Sequence, residues 1–354
     1  MEDNVLHVID NMCLGGAQRI VSTLVKNNSN HKLHSIRKVE DSMGDFNDYT
    51  VTGSPSRYNF RSFIDVWKKV REENPEIVHC HLIKSKMIGI LLKIVSIRDF
   101  KLVFHEHGHV WKENRKYNKI LNYASRLVDC HIAVSEYTAK LLKENAEIPE
   151  DKINVIYNFV DREEYNPEIL ESFESDLSQD FDQELFTVGF GGRLEERKGW
   201  RTIVSAAERT EDVRFLISGS GTGEKELEKK TEEIDNLHYL GFIDDVRSLF
   251  ASIDCFVLPS EWDPSPMILY EVQSCGIPLI CADVHSIDEL VEDKENALVY
   301  SFNDIEKLAE KIEEIKRDEE LRRQLSEEGI SNAEKYTYNV FQESLNQAYS
   351  SLKD

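Results

Sequence analysis

Short apolar runs alternate along this chain with longer segments in which apolar residues recur every three or four positions. The runs, such as Cys255–Leu258, predict buried strands, and the periodic segments, such as 200–209, predict amphipathic helices. Strands that alternate regularly with helices are typical of α/β domains built on parallel sheets. The alternation begins near residue 4, pauses in a polar, acidic stretch at 162–184, and then starts again.

The pattern divides the predicted elements into two sets. In the first set, strands are predicted at 4–9, 76–81, 101–105, 131–134 and 153–156, and helices at 17–26, 63–73, 117–127 and 135–142. In the second set, strands are predicted at 186–190, 213–217, 237–240, 255–258, 278–281 and near 299, and helices at 200–209, 224–234, 246–251, 267–274, 304–317 and 318–335. A chain of 354 residues also exceeds the usual size of one core. We therefore predict two domains, 1–161 and 162–336, followed by an amphipathic last helix within 337–354.

Charge and composition narrow the class of protein. The formal net charge is −23, which disfavours nucleic-acid binding, because neutralising phosphates requires a basic surface. The apolar runs are shorter than the roughly 18 residues that a membrane span needs, and the first residues do not resemble a secretory signal. The six cysteines form no C-x-x-C pair, so buried, reduced thiols are expected. We expect a cytoplasmic protein, with peripheral contact at the inner face of the cell membrane left open.

The segment that follows the predicted strand Cys255–Leu258 carries the most specific chemistry. It contains a polar, proline-rich loop with Asp263, and then a short helix with Glu271 that a glycine and a proline end. In open α/β sheets, ligands bind outside the carboxyl ends of the strands, where this loop is expected. Considered alone, the two acids would suit a solvated acidic loop equally well.

This segment, 259–278, resembles the signature of the family 4 retaining glycosyltransferases, which have the GT-B fold. The signature is Glu-x7-Glu followed by a small residue, Gly, any residue and Pro. This chain has Asp263 in place of the first glutamate and keeps Glu271. In the family, the second carboxylate holds the ribose hydroxyls of the nucleotide and the first faces the donor sugar. Because aspartate is one methylene shorter, its carboxylate reaches about 1.5 Å less far, which puts the contact with the donor sugar in question.

A second motif opens the second half of the chain. After the strand at 186–190, glycines allow a tight turn, and Arg193 and Lys198 follow before the next helix. Arginine forks onto phosphate oxygens and lysine adds a point charge, so the pattern suits a diphosphate, although an exposed basic turn would look similar. It resembles the family's Gly-Arg-Leu…Lys-Gly motif, in which the two cations neutralise the departing nucleotide diphosphate. The resemblance assigns that role to Arg193 and Lys198.

Two glycine-rich turns also follow predicted strands. Gly15 and Gly16 precede the first helix and resemble the family's Gly-Gly-Ala-Glu loop, which faces the donor phosphate and the acceptor. Gly219 opens a G-x-G-x-G turn after the strand at 213–217. Its spacing differs from the G-x-G-x-x-G of dinucleotide-binding folds and therefore disfavours NAD. The family has a similar turn near the nucleotide.

Histidines cluster at two predicted strand ends. His105, His107 and His109 occupy alternate positions, so an extended backbone would place their imidazoles on one face, and His79 and His81 end another strand. A metal site, structural histidines and a sugar-facing histidine are the alternatives, and a zinc hydrolase would also want a carboxylate ligand and an open coordination position. The family carries a His-Gly at a strand end that points at the donor sugar, and His107 with the glycine after it matches this motif. We favour that role, without a metal.

The resemblance extends over about residues 5–340 and implies two Rossmann-like, doubly wound parallel-sheet domains that face a central cleft. The implied activity is a retaining, metal-independent transfer of a sugar from a nucleotide-diphosphate donor to an acceptor hydroxyl, in polysaccharide or glycolipid biosynthesis. The N-terminal domain would take a glycan or lipid-linked acceptor, the C-terminal domain would hold the nucleotide-sugar, and the last helix would pack back on the N-terminal domain. No cofactor is expected.

The resemblance also assigns the site residue by residue. The expected catalytic residues are His107, Arg193, Lys198, Asp263 and Glu271. The expected donor-binding residues are Gly15, Gly16, Gly192, Arg193, Lys198, Gly219, Ile243, Pro266, Met267, Ile268 and Glu271.

Two other classes of function remain open at this point. A non-catalytic GT-B module would bind a sugar-nucleotide or a glycan without turnover, and its support is Asp263 together with Phe159, which replaces a glycine of the family's Asn-Gly-Val-Asp turn. A nucleotide-sugar epimerase of related fold would consume donor without an acceptor. The Gly-Arg-Leu…Lys-Gly arrangement disfavours the epimerase.

Overall fold

A computed structural model of the chain describes residues 3–13, 15–37, 49–51, 60–96, 98–108, 114–173, 177 and 185–353. The chain forms two compact units. Unit 1 comprises Met1–Asn158 and Gln342–Asp354, and unit 2 comprises Phe159–Phe341. The second boundary between the units therefore falls inside the last helix, Tyr338–Ser350.

Unit 1 is a parallel sheet with helices. Its strands are β1 (Val5–Ile9), β2 (His31–Ser35), β3 (Tyr49–Val51), β4 (Ile77–Cys80), β5 (Lys101–Glu106), β6 (Cys130–Ala133) and β7 (Ile153–Val155). Its helices are α1 (Gly16–Asn27), α2 (Phe60–Glu73), α3 (Ile83–Val95), α4 (Arg115–Ala124) and α5 (Glu136–Ala146). The strand order is β3-β2-β1-β4-β5-β6-β7, and all the pairings are parallel.

The two faces of this sheet are filled differently. Successive side chains of a strand point to opposite faces. On one face, Val78, Leu102 and Phe104 join apolar residues of α3, α4 and α5 in a buried core. On the other face, buried histidines replace apolar residues at alternate positions of the same strands.

Three elements of unit 1 differ from the sequence-based expectation. The strands β2 and β3 and the helix α3 lie where no element is predicted. The strand β2 reads His-Lys-Leu-His-Ser and β3 has three residues, so neither shows an apolar run. The helix α3 is apolar around most of its circumference, which hides the helical period.

Unit 2 repeats the architecture. Its strands are β8 (Phe186–Gly191), β9 (Val213–Ser218), β10 (Leu237–Tyr239), β11 (Cys255–Leu258), β12 (Leu279–Asp283) and β13 (Leu298–Ser301). Its helices are α6 (Pro167–Glu171), α7 (Trp200–Ala207), α8 (Glu224–Glu233), α9 (Arg247–Phe250), α10 (Met267–Ser274), α11 (Ile305–Arg317) and α12 (Glu319–Ala333), and α13 (Tyr338–Ser350) follows. The strand order is β10-β9-β8-β11-β12-β13, again with parallel pairing throughout.

In each sheet the chain winds outward in both directions from a central pair of strands. The pair is β1 and β4 in unit 1, and β8 and β11 in unit 2. This is the doubly wound, Rossmann-like arrangement, so the predicted fold class is confirmed for both units. Sheets of this kind bind ligands at the carboxyl ends of their strands, where the strand order reverses. In unit 2, the two predicted motifs lie in the loops that leave β8 and β11 at this point.

The C-terminal part of α13 belongs to unit 1. The hydroxyl of Tyr349 lies 2.7 Å from Nδ1 of His79 on β4. Farther back along the helix, the side-chain amides of Gln342 and Asn28 lie 3.1 Å apart. The end of α13 is therefore part of the histidine-lined face of the unit 1 sheet. Among the described helices, none is both long and apolar enough to cross a membrane.

A buried ion pair joins α3 to β5. Nζ of Lys86 lies 2.7 Å from Oε2 of Glu106, and both side chains are fully buried. Lys86 also donates to the hydroxyl of Tyr117 at 3.2 Å, and that hydroxyl donates to Glu106 at 3.3 Å. Burial opposes ionisation of Glu106, but Lys86 and then His131 outweigh it and lower the pKa of Glu106 to about 2. Each charge therefore depends on its partner to remain inside unit 1.

We predict that Glu106→Leu lowers the free energy of unfolding by about 3–5 kcal/mol, because it leaves the Lys86 ammonium buried without its counter-ion. Urea unfolding of the full chain measures this loss. The control is Glu150→Ala, which removes the exposed partner of Lys143 in the same unit and should cost less than about 1 kcal/mol. Equal losses in the two variants would contradict the prediction.

Candidate active site

The loops after β8 and β9 are held in backbone contact. The amide of Gly192 donates to the carbonyl of Ser218 at 3.0 Å. Gly219 has a φ of +145°, and a Cβ at this position would lie 1.7 Å from the carbonyl oxygen of Gly192. Since no side chain fits in that space, glycine is required where the two loops touch.

The glycine-rich turn after β9 makes further contacts with the first loop. Leu194 donates its amide to the carbonyl of Ser220 at 2.9 Å and accepts from the amide of Gly223 at 2.9 Å. A Cβ on Gly221, where φ is +154°, would come within 3.0 Å of the backbone of Leu194. The turn predicted to lie near the nucleotide therefore packs directly on the loop that carries Arg193.

A second close approach connects the loop after β8 to the loop after β11. Gly199 has a φ of +72°, and a Cβ there would lie 2.0 Å from the carbonyl oxygen of Pro259. Beside it, the amide of Glu261 donates to the carbonyl of Arg197 at 2.9 Å. The strand ends of β8 and β11 therefore bring their loops together, although about 60 residues of sequence separate them.

The two predicted phosphate-binding cations each pair with a carboxylate of these loops. Nζ of Lys198 contacts Oδ2 of Asp263, and both side chains are largely buried. Arg193, whose side chain is 58% exposed, lies 2.8 Å from Oε1 of Glu195. Glu195 also accepts from Arg197 at 3.1 Å. Sequence reasoning did not assign a role to Glu195; its position between the two arginines in the sequence was the available signal.

Asp263 and Glu271 are both buried but are held in different ways. Asp263 lies in the loop before α10, and its main-chain carbonyl accepts a short hydrogen bond from the hydroxyl of Ser286. Glu271 lies on the buried side of α10 and is 3% exposed. The structure thus joins Asp263 to Lys198 across the two loops, a pairing that the sequence did not reveal.

The start of α10 supplies the remaining predicted donor-binding positions of this segment. Pro266 is the N-cap residue of α10, and Met267 and Ile268 begin the helix half-buried. The side chain of Ile268 packs on Gly191 at the end of β8, where an added Cβ would lie 3.2 Å from it. Ile243 is half-buried in the loop after β10 and makes no described contact with these residues.

The predicted residues of unit 1 lie at the carboxyl ends of its central strands. Gly15 is the N-cap of α1, with Gly16 as the first helical residue, and a Cβ on Gly15 would lie 2.6 Å from Oε1 of Gln18. His107 follows β5, is half-buried, and stacks on His105 with ring centroids 4.1 Å apart. Nε2 of His107 lies 3.1 Å from Nδ1 of His81. His109 falls outside the described residues.

The departure at Phe159 has a structural explanation. Phe159 is buried, and its ring lies 4.8 Å from that of Phe341 and 5.2 Å from that of Tyr338, between centroids. A phenylalanine here anchors the start of α13 in unit 2, which a glycine could not do. Its presence therefore does not argue for a degenerate site.

Comparison with known protein families identifies the family of this chain. The family described as glycosyl transferases group 1 matches residues 173–332, and the one described as glycosyltransferase family 4 matches residues 44–164. With a doubly wound fold in each unit and glycine-held loops at the switch point, these matches define a glycosyltransferase. The chain belongs to the family 4 glycosyltransferases, which confirms the predicted resemblance.

The chain is similar to individual curated proteins and to solved structures. The UDP-Gal:alpha-D-GlcNAc-diphosphoundecaprenol alpha-1,3-galactosyltransferase of Escherichia coli is 27% identical over 270 residues, which cover 70% of this chain and 68% of that enzyme. An uncharacterized 41.2 kDa protein in the cps region of Klebsiella pneumoniae is 23% identical over 325 residues, covering 87% and 88%. Anabaena HepE, in a crystal structure with UDP and glucose, has the same fold, with a TM-score of 0.84 at 20% identity over 100% of both chains.

We predict that the contact between Gly199 and Pro259 is required for stability. Gly199→Ala adds a left-handed backbone penalty of about 1–2 kcal/mol and a steric clash of about 1–3 kcal/mol. Gly241→Ala is the matched control, because Gly241 has a φ of +70° but no atom within 4 Å of an added Cβ. It should lose only the first of these amounts. Urea unfolding of both variants tests the difference. Similar losses in the free energy of unfolding would show that the carbonyl of Pro259 does not obstruct a side chain at position 199.

Proposed function

We propose that this protein is a retaining glycosyltransferase that moves a sugar from a nucleotide-diphosphate donor to an acceptor hydroxyl, in polysaccharide or glycolipid biosynthesis. The observation that carries the proposal is the contact between Lys198 and Asp263. It unites the two motifs at the switch point of the unit 2 sheet, where doubly wound folds bind their ligands.

The first step of the proposal concerns the leaving group. Breaking the bond between the sugar and the diphosphate builds negative charge on the phosphate oxygens. Arg193 would contribute a forked donor and Lys198 a point charge, so the two side chains would stabilise that charge without a metal ion. Both cations already have anionic partners, and the arriving diphosphate would take the place of Glu195 and Asp263.

The second step concerns the nucleotide. Glu271 is proposed to bind the ribose hydroxyls, and the first turn of α10 to contact the phosphates. Proline at the N-cap has no side-chain acceptor, so Pro266 leaves the first backbone N–H groups of α10 without the usual cap. Such groups favour an anion at a helix N-terminus.

The third step concerns the sugar. Asp263 is shorter than the glutamate of the family and lies against Lys198. Once the diphosphate engages Lys198, the carboxylate of Asp263 would be released to accept from a sugar hydroxyl. His107, which follows β5, is proposed to be a sugar-facing histidine, as its match to the family's His-Gly motif implies.

UDP is the donor nucleotide that we propose. The E. coli relative is named for UDP-Gal, and HepE was crystallised with UDP. The acceptor is proposed to be lipid-linked, as the name of the same E. coli enzyme describes for its own substrate.

A basic, apolar surface on unit 1 supports contact with a membrane that carries such an acceptor. The neighbouring helices α3 and α4 contain no acidic residue, although the whole chain has a net charge of −23. We call five of their exposed apolar residues the α3/α4 surface; these are Leu91, Ile94, Val95, Ile120 and Tyr123. Exposed Arg115, Lys116 and Lys119 accompany them on α4. Apolar side chains with basic neighbours suit an anionic lipid surface.

We predict that Arg193→Ala or Lys198→Ala lowers the rate of sugar transfer at least about 100-fold, the scale expected of a group that stabilises transition-state charge. The rate is measured with UDP-sugars and a lipid-linked acceptor. Arg201→Ala is the control, since Arg201 is a cation of α7 that pairs with Glu226 on the surface. The transfer rate of Arg201→Ala should stay within about threefold of wild type. A rate for Arg193→Ala within the same range would contradict the proposed role of Arg193.

A binding measurement separates this proposal from the alternatives. A UDP-sugar at 100 times its Kd should stabilise the wild-type protein by about 2.7 kcal/mol, and Arg193→Ala should remove most of the effect. Stabilisation without turnover would identify a non-catalytic binding module. Donor consumption that needs no acceptor would indicate an epimerase.

We predict that the α3/α4 surface binds anionic membranes. The double variant Ile94→Ser, Tyr123→Ser should reduce co-sedimentation with phosphatidylglycerol vesicles at least about fivefold, because both apolar anchors are lost. Val340→Ser changes an exposed apolar residue of α13 and should leave sedimentation unchanged. Equal binding to neutral phosphatidylcholine vesicles would contradict the role of the basic residues.

A further inference from the structure

Four imidazoles of unit 1 form a single file across the sheet. They belong to His31 on β2, His7 on β1, His81 after β4 and His107 after β5. Consecutive nitrogens in this file lie 3.0, 3.0 and 3.1 Å apart. His31, His7 and His81 are buried, whereas His107 is half-buried at the end of the file.

Every contact in the file joins Nδ1 of one ring to Nε2 of the next ring. Nδ1 of His31 meets Nε2 of His7, Nδ1 of His7 meets Nε2 of His81, and Nδ1 of His81 meets Nε2 of His107. A neutral imidazole has one N–H donor and one nitrogen acceptor. The three contacts can therefore all be hydrogen bonds only if the four rings carry their protons on the same type of nitrogen.

We propose that His31, His7, His81 and His107 form a proton wire, in which the four rings change tautomer together and conduct a proton between His107 and His31. The inference deepens the proposed function, since His107 is the residue expected to contact the donor sugar. His7, His31 and His81 are then positioning residues that act through His107.

The proton balance of the wire is simple. With every ring protonated on Nε2, a proton that binds Nδ1 of His107 displaces the Nε2 proton of His107 to Nδ1 of His81. The same transfer follows from His81 to His7 and from His7 to His31. One proton then passes from Nε2 of His31, a residue that is 5% exposed, to solvent water, and all four rings are left neutral with their protons on Nδ1. No charge stays in the protein interior.

The surroundings favour neutral rings. Burial lowers the pKa of His7 and of His81 well below the usual range, and the neighbouring histidines lower it further. Burial also lowers the pKa of His31 to about 4, although Asp3 opposes this shift. His79 stacks on His81, His105 stacks on His107, and Tyr349 bonds to His79.

A metal ion would fit these rings poorly. Two histidine triplets bring ligand atoms within 4.8 Å of one another: His7, His79 and His81, and His81, His105 and His107. Each triplet contains a stacked pair, His79 with His81 at 4.4 Å and His105 with His107 at 4.1 Å between centroids. The lone pairs of an imidazole lie in the ring plane, so stacked rings direct them side by side. Coordination needs nitrogens that converge at about 2.0–2.1 Å from zinc.

Nuclear magnetic resonance of protein labelled with ¹⁵N-histidine tests the wire directly. The wild-type protein should show scalar couplings between ¹⁵N nuclei across all three hydrogen bonds, and one common tautomer in the four rings. Missing couplings or mixed tautomers within the file would overturn the proposal. This readout requires no enzymatic activity, so it also holds if the proposed transferase function fails.

Substitutions then test the coupling between the ends of the file. His31→Phe should change the tautomer of His107, although two rings lie between them, and should lower kcat about tenfold or more with the KM for donor within about threefold. His34→Phe is the matched control, because His34 is also buried on β2 but bonds to Thr50 outside the file. It should leave His107 unchanged. If His31→Phe does not fold, the wild-type couplings remain decisive.

A titration with zinc tests whether the same histidines form a metal site instead of a proton wire. Titration of the metal-free protein with Zn²⁺ should leave the nitrogen resonances of His7 and His81 in place. Stoichiometric binding that shifts both of them would identify a metal site instead and would overturn the wire.

Discussion

The candidate site depends on the close backbone approach of three loops at the carboxyl ends of β8, β9 and β11. Gly219 meets the carbonyl of Gly192, and Gly199 meets that of Pro259, at distances that exclude any Cβ. Because these contacts are made by the backbone itself, they place Lys198 beside Asp263 with little freedom. For this reason the loop with Lys198 and the loop with Asp263, which are distant in sequence, form one site. Electrostatic stabilisation of a leaving group requires charged side chains that are already in position.

Charge is the second constraint on this site. A protein with a net charge of −23 repels a diphosphate at long range, so local cations must overcome that field. The structure does not leave these cations isolated, since Glu195 pairs with Arg193 and Asp263 with Lys198. The carboxylates hold the side chains in place. In the proposed function a diphosphate would replace them, because it would offer more negative charge and more acceptors.

Much of this fold could be predicted because apolar alternation follows the sheets closely; α10 begins and ends at the predicted residues. The failures have a common physical cause. In β2, His31 and His34 occupy buried positions on opposite faces, where apolar residues are usual, so the strand lacks its usual apolar pattern. The helix α3 fails in the opposite way, because it is apolar on nearly all sides. Motif chemistry identified Lys198 and Asp263 separately, but their contact depends on the order of strands in the sheet, which local pattern does not contain.

The histidine face of unit 1 has a cost that apolar residues would avoid. An aliphatic side chain at each of these positions would have no polar atom to satisfy, whereas each buried imidazole nitrogen needs a partner. Within the file the rings obtain partners from one another, and Nδ1 of His79 obtains one from Tyr349. Because His79 stacks on His81, the C-terminal helix is connected through His79 to the file that ends at His107. A polar layer of this kind specifies the orientation of His107 in a way that packing alone would not, because a single lost partner disturbs every ring in the file.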